Sequence, residues 1–166
     1  MGEKMKSLDK MIKERLYAEV YEVLATDNFV YSYENLQKAF PKADSMQYYC
    51  FLMYSISKEE TPEKHLAVCN LLAFGEPLLD DIYTLINWHI NRTLSLFPAF
   101  TPIKSFAVYI FFHCPDSPIS EGLLYEYALS VLQENPDDSL SKELINEFEK
   151  RDKVTSVSYT HLRAHE

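Results

Sequence analysis

TPEKHLAVCNLL at residues 61–72 and TPIKSFAVYIFF at residues 101–112 share Thr, Pro, Lys, Ala and Val at the same offsets, forty residues apart. In each, a threonine before a proline reads as a helix N-cap followed by proline at the first helical position, where its missing N–H costs nothing. The second copy is rich in β-branched and aromatic residues, and by composition alone it also fits a buried strand. Its length and its likeness to the first copy decide for a helix. A second helix is expected after each copy, opening at Pro77 and at Pro118. These second helices close with LSLFP at 94–98 and LQENP at 132–136, thirty-eight residues apart.

Working outward, the same punctuation recurs. Ser32 precedes YENLQKAF, and Asp44 precedes SMQYYCFLMYSI with Gln47 placed as a capping-box partner. Ser117-Pro118 and Asp138-Ser139 mark two further starts. The spacing predicts eight helices over about 4–25, 32–40, 45–57, 62–74, 78–96, 102–114, 119–134 and 139–151. Their short connections make neighbours antiparallel. Only Gly2, Gly75 and Gly122 supply glycine, which disfavours hairpin-rich β folds and phosphate-cradling loops. The expected fold is all-α.

Residues 61–151 resemble tetratricopeptide-type (TPR) helical repeats, in which helix pairs stack and the second helix ends in an aliphatic-x-x-Pro step. In YALSVLQENPDD, Ala128 and Val131 fall eight and five residues before Pro136, where that family packs small residues; the earlier copy has Ile90 and Thr93 there. The repeat exceeds the TPR period of about 34 residues and approaches that of HEAT repeats, and the TPR Trp and Leu-Gly signature is absent. The resemblance implies antiparallel helix pairs stacked as a short TPR-like or HEAT-like α-solenoid.

The C-terminal residues 157–166, VSYTHLRAHE, resemble one translated frame of a transposase-type sequencing-library adapter and are expected to be a non-native tail. The expected organisation is a single helical domain over 1–156, truncated at its C-terminus. A helix at 139–151 without its partner would expose an apolar stripe at Leu140, Leu144, Ile145 and Phe148.

Hydrophobic residues make up 47% of the 166-residue chain and aromatics 14%, which excludes a disordered chain. The formal net charge is −9. Residues 16–156 hold ten basic and twenty-one acidic groups, an excess of eleven negative charges that repels phosphate backbones and argues against nucleic-acid binding. The longest apolar run, Phe106–Phe112, is far short of a membrane span, and MGEKMKSLDK has no signal-peptide core. Cys50, Cys69 and Cys114 are too widely spaced for a disulfide framework and read as reduced thiols of a cytoplasmic protein.

Little in the chain carries chemistry. His65 and Cys69 share a helical face at i and i+4, but no further ligands stand at a recognisable spacing; His89 and His113-Cys114 are the only reserves, and no metal site or cofactor is expected. There is no P-loop, HExxH motif, nucleophile elbow or dinucleotide fingerprint, so no catalytic residue is assigned and the chain is not expected to be an enzyme. The carboxylates Glu59, Glu60, Glu63, Glu76, Asp80, Asp81, Asp137 and Asp138 cluster at helix starts, where they meet the positive end of the helix dipole. Tyrosines suit either the spaces between helix layers or an interface. Tyr48, Tyr49 and Tyr54 lie on a helix that is apolar almost all round and should be buried. Only one of Trp88 and His89 can point into a helix stack; Trp88 is expected in the core and His89 nearer a groove. Tyr83, Trp88, His89, Tyr125 and Tyr127 are the candidate binding residues.

The expected function is a non-catalytic protein–protein interaction module for a peptide or basic protein partner, with no membrane role. Size and charge also fit a small acidic immunity protein of bacterial type that neutralises a cognate toxin. A third reading is a peptide-sensing regulatory domain attached to an unseen module.

Overall fold

The computed structural model describes residues 7–77 and 80–163, with side chains described through Val154. Among the described residues every regular element is a helix, nine in all. The protein is all-α, and none of these helices is long and apolar enough to cross a membrane. The chain divides into two compact units, Met1–Pro98 and Ala99–Glu166.

The first unit holds α1 (Leu8–Lys13), α2 (Tyr17–Thr26), α3 (Tyr33–Ala39), α4 (Ser45–Lys58), α5 (Pro62–Phe74) and α6 (Ile82–Leu96). One helix was expected over 4–25; residues 4–6 lie outside the described residues, and the rest forms two helices broken at Arg15. Arg15 takes φ 60°, and its N–H and that of Leu16 bond back to the carbonyls of Ile12 and Met11. This is the Schellman arrangement, normally built on glycine. Asn28, with φ 51°, ends α2 the same way, through Phe29 N–H to the Leu24 carbonyl and its own N–H to Ala25.

The local starts follow the caps. Ser32 accepts from Asn35 N–H, Asp44 and Gln47 form a complete capping box, and Thr61 accepts from Lys64 N–H. The helix expected from residue 78 begins later: residues 78–79 lie outside the described residues, and α6 starts at Ile82, capped by Asp81. Gly75 ends α5 where a side chain would not fit, because an added Cβ would meet the Leu71 carbonyl oxygen at 2.6 Å.

The core of this unit is built around aromatic rings on α4. Phe51 and Phe40 are fully buried and meet edge to face, and Tyr48 stacks on Phe40 while donating to its carbonyl at 2.7 Å. Burial pushes the Tyr48 phenol up to about 12. Tyr48 is thus buried as expected, whereas Tyr49 and Tyr54 are only half-buried. Lys64 is buried too, its ammonium donating to the carbonyls of Ser55 and Glu59 and lying over the rings of Tyr21 and Tyr31. Desolvation lowers its pKa, and two carbonyls and two aromatic faces offset the loss of water.

The second unit holds α7 (Thr101–Phe111), α8 (Glu121–Glu134) and α9 (Ser139–Arg163). The stretch 101–111 is helical, with Ile103, Phe106, Ala107, Val108 and Phe111 inward. Thr101 is not its cap: Phe100 holds that position without a side-chain bond, and the Thr101 hydroxyl donates to the Ala99 carbonyl instead. Helix α8 is capped by Ser120, not Ser117, whose hydroxyl bonds to both the N–H and carbonyl of Ile119. The apolar stripe expected on α9 is not left open. Leu144 is buried, Leu140, Ile145 and Phe148 are half-buried, and Phe148 stacks on Tyr125 at 4.5 Å because α9 packs on both α7 and α8. Its backbone runs on past Arg151 to Arg163, through a segment with neither glycine nor proline to stop it.

Candidate functional site

Two clusters of polar side chains stand out, one in each unit. The first lies between α5 and α6. Cys69 Sγ approaches the Ile86 carbonyl and His65 meets His89, so residue numbers rise on one helix as they fall on the other: the pair is antiparallel. On α6, Ile86, His89, Ile90 and Thr93 form one buried face at 3–4 residue spacing. Trp88 falls outside that face and is 51% exposed, while His89 has no exposure at all. This reverses the sequence expectation for both residues. The histidine goes inside because a partner waits there.

That partner is His65, also fully buried, whose Nδ1 lies 2.9 Å from His89 Nδ1. His65 Nε2 sits 2.9 Å from Glu60 Oε1, just before the Thr61 cap. Arg92, one turn beyond Trp88 on α6, grips the same carboxylate with Nε at 2.8 Å and Nη2 at 3.0 Å. The Arg92 guanidinium, with help from His65, holds the Glu60 carboxyl down at about 2. An ionised carboxylate only accepts, so the proton at this contact is on His65 Nε2. Burial, and then the neighbouring His65, depress His89 to about 4, so it is neutral near pH 7. The two Nδ1 atoms share one proton between them, the donor set by the tautomer, and His89 Nε2 is left buried without a partner. A carboxylate–imidazole–imidazole chain can pass a proton, but neither ring is open to a substrate. It is a core network with a surface end at Glu60, Arg92 and Trp88.

The other proposed binding residues differ in exposure. Tyr83, on α6, is 38% exposed. Tyr127 is 8% exposed and belongs to the core of the second unit. Its neighbour Tyr125 is half-buried, against Phe148 and Glu149 of α9. Tyr83, Trp88 and His89 thus belong to the first unit, and Tyr125 and Tyr127 to the second. On the His65–Cys69 face both His65 nitrogens are engaged, and Cys69 is a buried thiol whose pKa burial drives up. Sequence reasoning missed Glu60 and Arg92, which are thirty-two residues apart. The i+4 step from Trp88 to Arg92 was the available signal.

The second cluster joins the α7–α8 connection to α9. His113 follows the end of α7 with φ 64°, and its ring lies against that of Phe112 at 3.9 Å. Its Nε2 is 3.6 Å from Glu147 Oε1 and 3.9 Å from Glu143 Oε1. Arg151 pairs with Glu121 at 2.6 Å and reaches Glu147 Oε2 at 3.7 Å. His113, Glu147 and Arg151 border a cleft of about 260 Å³ walled by Phe111, Leu144 and Phe148.

Neither a protein-family model, a curated protein nor a solved structure matches this chain.

Proposed function

We propose that this chain is a non-catalytic binding module for a basic peptide or protein partner, with its contact centred on Trp88. The observation that carries the reading is the placement of the chain's single tryptophan, half-exposed over a rigid buried network, with Arg92 and Glu60 beside it. A tryptophan held in this way offers a large apolar surface with little freedom to lose, which is the usual character of an interface anchor. The negative charge of residues 16–156 favours a basic partner and steers its approach. The likeness of 61–72 to 101–112 supports reading the helix pairs as copies of a TPR-like unit, a scaffold suited to peptide binding. Cys50, Cys69 and Cys114 are all free thiols, which supports a cytoplasmic setting.

Trp88 is also the probe, because no second tryptophan emits. A tryptophan-free peptide panel graded in lysine and arginine content is titrated while Trp88 fluorescence is followed. Affinity is expected to rise with basic content and to fall as salt is raised from roughly 0.05 to 0.5 M. The Trp88→Ala variant, read by a labelled peptide, should lose about 2 kcal/mol, roughly thirtyfold in affinity. No binding across the panel, or binding indifferent to salt and to Trp88, overturns the reading.

A further inference from the structure

We propose that His113, Glu143 and Glu147 form a site for a divalent transition-metal ion of the zinc class at the edge of the α7–α9 cleft. The three side chains come from two segments thirty residues apart, and their ligand atoms all lie within 4.8 Å of one another. The separations from His113 Nε2, 3.6 and 3.9 Å, are too long for hydrogen bonds. A tetrahedral ion bound at about 2.0–2.2 Å spaces its ligands roughly 3.3–3.6 Å apart. Shifts of less than an ångström therefore bring the three atoms onto one ion.

The surroundings favour such an ion. Glu143 and Glu147 stand one helical turn apart on α9, so their like charges face each other until a cation lies between them. Arg151 approaches Glu147 through Oε2, leaving Oε1 turned to His113; this is the division of labour expected between an orienting outer partner and a ligand. The Phe112 ring packs on the imidazole and restricts its rotation. An imidazole with two carboxylates suits zinc and its neighbours better than calcium or magnesium, which prefer oxygen alone. His113 and Glu147 line the cleft, so a three-ligand ion there would have its remaining coordination open to water or a small donor.

The test uses the full chain, stripped with a chelator and titrated calorimetrically with zinc sulfate. About one strong equivalent per chain is expected from a single three-ligand site, weakening on acidification because the imidazole must be deprotonated. Glu147→Gln, Glu143→Gln and His113→Ala should each weaken binding by more than about tenfold. The two glutamine variants keep side-chain shape, and circular dichroism checks the fold of all three. Cobalt(II) in place of zinc should give visible ligand-field bands without thiolate charge transfer. Absence of stoichiometric zinc binding, binding unchanged in these variants, or a thiolate band from a cysteine ligand each overturns the proposal.

Discussion

In both units a histidine faces a glutamate that an arginine also approaches, and the two arrangements differ almost only in their access to water. In the first, His65 is fully buried, 2.9 Å from Glu60, and Arg92 grips the carboxylate with two hydrogen bonds. In the second, the His113 side chain is 56% exposed, 3.6 Å from Glu147, and Arg151 stands 3.7 Å from the same carboxylate. Burial presses polar atoms to find partners within the protein, and all of the first set but His89 Nε2 do, so it closes on itself and becomes part of the core. Exposure relaxes that demand, and the second set keeps ligand atoms free to receive something else.

The contrast is broken most directly by truncating each histidine. His65→Ala removes a buried ring, opens a cavity and strands both His89 and part of Glu60, and should destabilise the chain by about 3 kcal/mol. His113→Ala in metal-free buffer should stay within about 0.5 kcal/mol of the parent. Urea denaturation measures both. Equal losses would mean that His113 is as structural as His65.

Acid sharpens the same distinction. His89 is held at about 4, below its ordinary 6.5, so between these values the unfolded chain takes up a proton that the folded chain refuses. Stability should therefore be full above pH 6.5 and fall as the pH approaches 4, where folded His89 itself becomes charged. The ceiling on this loss is about 3 kcal/mol. Glu60, depressed from 4.5 to about 2, extends the decline: its contribution is present above 4.5 and vanishes as the pH passes through 2. Urea midpoints taken from neutral to acid pH should trace this slope in the parent and in His113→Ala alike. A flat profile would mean that the buried pair opens to water.

What the sequence disclosed and what it hid divide along the range of the interaction. The caps at Ser32, Asp44 and Thr61 were legible because each donor lies three residues from its acceptor. The break at Arg15 was not, since a charged residue in the left-handed region carries no glycine or proline to announce it. The exchange of Trp88 and His89 has a different cause. The spacing Ile86, His89, Ile90, Thr93 already drew the buried face, but a general preference for tryptophan inside outweighed it. A buried histidine is costly until its partner is known, and that partner lies twenty-four residues away. The His113 cluster was equally remote: Glu143 and Glu147 look like ordinary helix-surface acids until α9 folds back beside the end of α7.

A smaller effect than the loss of His65 concerns the polar atoms that burial left unmatched. Among the described residues these are His89 Nε2 in the first unit and Ser141 Oγ in the second. They should respond in opposite directions to removal. His89→Leu deletes one orphan but creates another, because His65 Nδ1 then loses its only contact at 2.9 Å. Ser141 has no such dependant: its backbone N–H is satisfied by Asp138 Oδ2 at 2.9 Å, and its hydroxyl holds nothing. Ser141→Ala removes a desolvated hydroxyl, keeps the cap and raises helix propensity, so it should stabilise the chain by about 1 kcal/mol. The urea midpoint is the readout. A loss instead would reveal a partner for the hydroxyl, such as an internal water bridging it to a carbonyl of α9. In that case water would satisfy the Ser141 hydroxyl, and His89 Nε2 would stand as the unmatched buried atom among the described residues.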